Sequence, residues 1–284
     1  MTYWDTEIID TPRGTFEIFT KGKGTPVCIT HHYSEFNNTG DYFAETFTDD
    51  NKVILVNLKG TGNSSQANEA HELSMLDAVY DLEAIRSALG LSSWVFAGHS
   101  TGGMIGVLYG IHFPESLNSL ILVGSAARKY NVSPLCIYHT EHPQFDLMQN
   151  YIQLLKQSDL CPIERHRLTE ERTKLSLYRP EQYKDYFSLT INKGLSASRL
   201  NFFAREAAIF DITRELGQIS TRTLILCGKY DVQCPVSFSI EMNELIPNSH
   251  LVVFEESNHY PFLEEGPLFR EVTNNFLKQI SNSN

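Results

Sequence analysis

Paired cysteines, basic runs and long apolar stretches are all missing from this sequence of 284 residues. The five cysteines, Cys28, Cys136, Cys161, Cys227 and Cys234, form no C-x-x-C spacing, which excludes zinc-ribbon and dithiol redox motifs. An odd number of scattered cysteines reads as free thiols in a reducing compartment, so a cytoplasmic location is expected. The net charge is −11 and no cluster of Lys and Arg stands out. Such a chain lacks the cations that neutralise phosphates, so neither a nucleic acid nor an anionic membrane is an expected partner. No stretch approaches the roughly 18 apolar residues of a membrane span. The opening MTYWDTEIID has no basic start and no apolar core, so no signal peptide is expected. Tryptophan is scarce, with Trp4 and Trp94 alone. Glycine, at 17, and proline, at 11, are too few for a collagenous or low-complexity chain.

What is present is 42% hydrophobic residues, enough to bury a core without staples. They fall in short apolar runs separated by longer helical patterns. Residues 15–19 (TFEIF), 26–30 (PVCIT), 53–58 (VILVNL), 93–98 (SWVFAG), 119–124 (SLILVG), 223–227 (TLILC) and 250–254 (HLVVF) read as strands. Most lack polar alternation, as strands covered on both faces do. Between them, Met75, Ala78, Leu82, Ile85 and Leu89 repeat at steps of three and four, one apolar stripe on a helix. Strands and helices in alternation predict right-handed parallel crossovers and a doubly wound α/β sheet.

The alternation stops over residues 128–217, which contain no β-like run. Phe145, Met148, Ile152 and Leu155 repeat at helical spacing, and Ala204, Ala207 and Ala208 lie in another helix-like run. A stretch that long is no ordinary loop, so an inserted helical domain is expected there, with the sheet built from 1–127 and 218–284. The insert holds two more basic than acidic residues, so the acidity belongs to the remainder.

One turn carries chemistry. In WVFAGHSTGGMIG a strand runs into Gly98-His99-Ser100-Thr101-Gly102 and then into a helix, the G-x-S-x-G pattern in its strand–turn–helix context. A nucleophilic serine must stand at the tip of a strained turn, and only glycine two residues to either side leaves room. The helix that follows aims free N–H groups at the same point, so the Thr101 N–H is placed to bind an oxyanion.

Such a serine needs a base, and the base an orienting acid. Asp231, in Gly228-Lys229-Tyr230-Asp231, and His259, in Glu255-Glu256-Ser257-Asn258-His259, each lie a few residues beyond a buried strand. Both are thereby expected at the sheet edge where Ser100 emerges, where ligands of open α/β sheets collect. The chain order Ser100, Asp231, His259 completes a catalytic triad.

On these residues the chain resembles an α/β-hydrolase-fold enzyme along nearly its whole length. Its spacing is most similar to proline-iminopeptidase-like and small-molecule esterase members. The resemblance implies that 128–217 is the cap over the active site. It also implies a second oxyanion donor after the first core strand, in Thr30-His31-His32-Tyr33-Ser34-Glu35. There His32 stands where the family carries glycine, and the Tyr33 N–H is the donor. Asn57-Leu58-Lys59-Gly60-Thr61-Gly62-Asn63-Ser64 resembles the family's D-x-R-G-x-G-x-S turn, departing from it at Asn57 and Lys59. In the resembled aminopeptidases cap glutamates bind the substrate ammonium, and Glu206, in Phe202-Phe203-Ala204-Arg205-Glu206, is the candidate here.

Other residues read more blandly. His99 should point away from Ser100 as a packed histidine. His31-His32 and His139-x-x-His142 lack a third ligand in reach, so no metal is expected. Gly22-x-Gly24 and Gly60-x-Gly62 lack the remaining features of phosphate loops. The expectation is a serine hydrolase without cofactor, acting on a small-molecule or short-peptide substrate. Ester or amide hydrolysis ranks first and a proline-iminopeptidase-like activity second. A ligand-binding protein that keeps the triad but turns over slowly is the third reading.

Overall fold

The computed structural model describes residues 3–157 and 159–281. Residues 1–2 and 282–284, at the ends of the expected core ranges, and 158, within the insert, lie outside the described residues. Eight strands form one sheet: β1 (Asp5–Thr11), β2 (Gly14–Lys21), β3 (Thr25–Ile29), β4 (Asn51–Val56), β5 (Trp94–His99), β6 (Leu117–Val123), β7 (Thr223–Gly228) and β8 (Ser249–Phe254). Their order is β1-β2-β4-β3-β5-β6-β7-β8. The hairpin β1–β2 and the pair β2–β4 are antiparallel, and all other neighbours are parallel.

The parallel strands are apolar on both faces because each face meets a separate core. Cys28, Ile54, Val56, Phe96, Leu120, Leu122 and Ile225 point into one cluster. Their alternates Val27, Val53, Leu55, Val95, Ile121, Val123 and Leu226 point into the other. The first cluster is completed by helix α1 (Met75–Ala88), capped by Ser74, and helix α2 (Thr101–His112). The second holds Phe254 and Phe262 together with Phe269 and Phe276 of the helix Gly266–Ser281. Trp94 is fully buried in the first cluster and Trp4 is buried in the second.

Residues 128–217 contain three longer helices, α3 (Phe145–Leu155), α4 (Pro162–Lys174) and α5 (Ala197–Ile209). The stretch is not free of β pairing, contrary to the sequence-based expectation. Gly194–Leu195 pairs antiparallel with Ser34–Glu35, and Arg128 bridges Asp211. Two-residue pairings leave no periodicity to read. Strand β1 also lacks an apolar run, because it lies at the sheet edge with most of its residues exposed. Among the described residues no helix is long and apolar enough to cross a membrane.

Candidate active site

The turn from β5 to α2 places Ser100 at φ 55° and ψ −121°, the only non-glycine residue with positive φ among the described residues. Such a backbone costs on the order of 1–3 kcal/mol and persists only where its surroundings impose it. Here they do. The Ser100 N–H donates to the Val123 carbonyl of β6 at 2.9 Å. A Cβ at Gly98 would lie 2.3 Å from the Gly102 carbonyl oxygen, and one at Gly102 would lie 2.3 Å from that of Thr30. Only glycine fits either side of the serine.

The loops after β7 and β8 bring Asp231 and His259 together. His259 Nδ1 lies 2.9 and 3.1 Å from the two carboxylate oxygens of Asp231, and both residues are buried. Asp231 Oδ1 also accepts from the Gln233 and Cys234 amides at 2.9 and 2.8 Å. The carboxylate is thus fixed before it meets the imidazole. The histidine loop has its own supports. Glu264 accepts from the Asn258 and Tyr260 N–H groups at 2.9 and 3.1 Å, and the His259 N–H donates to the Ser176 carbonyl.

Ser100 and His259 line one small cavity of about 30 Å³ with Tyr33, Met104, Gly124, Tyr130, Tyr138 and Gln233. That volume holds about one water. Apart from His259, its walls carry no ionisable acid or base of the Asp, Glu, Lys, Arg or His type. No hydrogen bond joins the Ser100 hydroxyl to His259 among the described residues. Such bonds often tighten only around substrate. A larger groove of about 610 Å³ lies at the opposite end of β7 and β8; the Thr223 hydroxyl on its wall donates to the Thr221 carbonyl and that of Ser249 to the Ile246 carbonyl, and neither bonds His250 among the described residues.

Of the two expected oxyanion donors, Tyr33 lines the Ser100 cavity and Thr101 follows Ser100 directly in the chain. Among the described residues neither the Thr101 nor the Tyr33 N–H donates to another protein group. The Thr101 hydroxyl bonds His31 Nε2 at 3.0 Å, and His31 Nδ1 bonds the Ser34 hydroxyl at 2.9 Å. Burial, and then the nearby Lys193, His259 and Arg199, hold the His31 imidazole well below the usual histidine range.

The structure does not bring Glu206 to this cavity. Its carboxylate accepts from the Met75 N–H at 3.0 and 3.2 Å, at the N-terminus of α1, and lies 3.6 Å from His32 Nε2. Burial pushes its carboxyl above the usual carboxylate range. The histidine pair His139 and His142 caps turns, each Nδ1 accepting from the amide two residues on. His99 packs against Phe43, Phe262 and His259 and reaches the His259 carbonyl at 2.9 Å, a support for the His259 loop that its sequence position did not reveal. A carbonyl only accepts, so His99 Nε2 carries the proton. The departures from the family turn have partners of their own. The Asn57 amide donates to Glu17 and Phe36, and Lys59 sits 3.0 Å from Glu72.

Comparison with known proteins agrees with this architecture. A family profile described as alpha/beta hydrolase fold matches residues 29–266. A solved α/β fold family hydrolase from Bacillus anthracis str. Sterne is 42% identical, with 96% of this chain and 99% of that one covered and a TM-score of 0.93. The AB hydrolase superfamily protein YisY of Bacillus subtilis is 27% identical, over 92% of this chain and 93% of its own length. A proline iminopeptidase of Saccharolobus solfataricus is 26% identical, over 82% of this chain and 77% of its own. A profile that spans residues 29–266, most of the sequence, establishes that the chain belongs to the α/β-hydrolase-fold family.

Proposed function

We propose that the protein is a serine hydrolase that cleaves an ester or amide bond of a small substrate through an acyl-enzyme. One observation carries the reading: a strained Ser100 and a buried Asp231–His259 pair converge on one cavity. Ser100 Oγ attacks the carbonyl carbon as its proton passes to His259 Nε2. Asp231 occupies Nδ1, which fixes the tautomer and stabilises the imidazolium. The carbonyl oxygen becomes an oxyanion and accepts from the Thr101 and Tyr33 N–H groups, both free of protein partners among the described residues. His259 then protonates the leaving group. Water, deprotonated by the same imidazole, attacks the acyl-enzyme, and the tetrahedral adduct collapses to the acid and free Ser100.

Residues 128–217 act in this reading as a cap, since they supply Tyr130 and Tyr138 to the cavity wall. An aminopeptidase resembling the Saccharolobus relative is the second reading. It needs carboxylates around a desolvated ammonium. The cavity wall has none, and Glu206 is engaged at α1, so ester or amide hydrolysis ranks first.

A fluorophosphonate probe tests the assignment. It should label Ser100 alone, with the label located by peptide mapping, and labelling that persists in Ser100→Ala would remove the nucleophile. A short-chain aryl ester compared with a prolyl arylamide ranks the two substrate classes. Multiple turnovers of either exclude a protein that only binds.

A further inference from the structure

His32 stands where the resembled family carries glycine, and the structure shows what accompanies it. Arg199, on α5, is fully buried against the oxyanion segment. Its Nε donates to the His32 carbonyl, its Nη2 to His32 Nδ1 at 3.1 Å, and its Nη1 to the Lys59 carbonyl at 3.0 Å. Among the described residues no carboxylate lies within ion-pair distance of this guanidinium. Burying a cation without a direct counter-charge is unfavourable, so its hydrogen bonds are the feature to explain. Burial lowers the guanidinium to about 10, which leaves it charged at neutral pH.

The His32 carbonyl belongs to the same peptide unit as the Tyr33 N–H. In a trans peptide the two point in opposite directions, so a grip on one aims the other. The next carbonyl, of Tyr33, accepts from the Ser196 N–H at 2.9 Å, and Ser34–Glu35 pairs with Gly194–Leu195. Residues 194–199 therefore hold residues 32–35 at successive points.

We propose that Arg199 is a positioning residue for the reaction: by fixing the His32–Tyr33 peptide plane it aims the Tyr33 N–H at the oxyanion. His32 takes part as the second acceptor of the guanidinium. Because Arg199 only donates, His32 Nδ1 is unprotonated and Nε2 bears the hydrogen, facing Glu206. The proposal rests on the Tyr33 N–H being an oxyanion donor, and the test separates the two.

The test compares Arg199→Met, Arg199→Lys, Tyr33→Pro and the Arg199→Met/Tyr33→Pro double variant on an aryl ester. Thermal melting checks folding, and an arylboronic acid, which forms a tetrahedral adduct with serine, probes the oxyanion site. Loss of a whole oxyanion donor lowers kcat by about 10²–10³. A misaimed donor in Arg199→Met should lower kcat by about 10- to 100-fold, weaken the boronate in parallel and leave KM within about twofold. The double variant should be no slower than Tyr33→Pro. A folded Arg199→Met with full kcat, or losses that multiply in the double variant, would overturn the positioning role. A Tyr33→Pro protein that keeps its kcat would instead overturn the oxyanion assignment. Should Arg199→Met not fold, Arg199→Lys decides: its ammonium lacks the planar fork that grips the His32 carbonyl and Nδ1 together, so kcat should still fall, and a full kcat there overturns the proposal.

Discussion

Asp231 meets His259 with both carboxylate oxygens while also accepting two amide N–H groups. Asp231→Asn keeps the size but puts a donor where the Gln233 and Cys234 amides, or the imidazole N–H, need acceptors. It should lower kcat by on the order of 10⁴ with the fold retained, measured by ester turnover and circular dichroism. At this scale the sequence was most legible where chemistry demands fixed spacing. Ser100, Asp231 and His259 follow strands whose apolar runs are plain to read. Arg199 was not legible, because its task is set by a backbone carbonyl more than 160 residues away in the chain. The setting of Glu206 was not legible for the same reason. Its partner is the Met75 N–H, which no motif announces.

Helix α1 begins where Ser74 caps it and Glu206 adds a carboxylate to the free Met75 N–H. Negative charge at a helix N-terminus is stabilising, and a cap contributes about 1 kcal/mol. Glu206→Gln should therefore lower stability by about 1 kcal/mol in urea titration, while KM for an aryl ester stays unchanged. A prolyl arylamide activity that collapsed in this variant, with ester turnover intact, would instead restore Glu206 as an ammonium ligand. Elements were legible in proportion to their burial. The parallel strands show as apolar runs because both faces are covered, and α1 shows as a stripe because one face is. Strand β1 is exposed along most of its length, so DTEIIDT gives no pattern. The pairing of Ser34–Glu35 with Gly194–Leu195 is two residues long and depends on contacts between distant segments.

Over the whole molecule, three histidines are buried in the neutral form. Burial is the first cause that holds His31, His32 and His99 well below the usual histidine range. In the unfolded chain each titrates near pH ~6.5. Between the folded values and that pH the unfolded state binds more protons, so stability falls as pH drops below about 6.5 and is regained above it. Each histidine adds up to about 1.4 kcal/mol per pH unit within that window. Urea midpoints measured at neutral and mildly acidic pH should show the decline, and a flat profile would mean that these rings are protonated in the fold. The two tryptophans set what light can report about the same molecule. Trp4 and Trp94 are both buried in the sheet's two cores, and none lies in residues 128–217. Intrinsic tryptophan emission therefore follows unfolding of the sheet and carries no direct signal from segment 128–217. A tryptophan introduced at exposed Leu135 or Ile163 would give that segment an optical signal of its own.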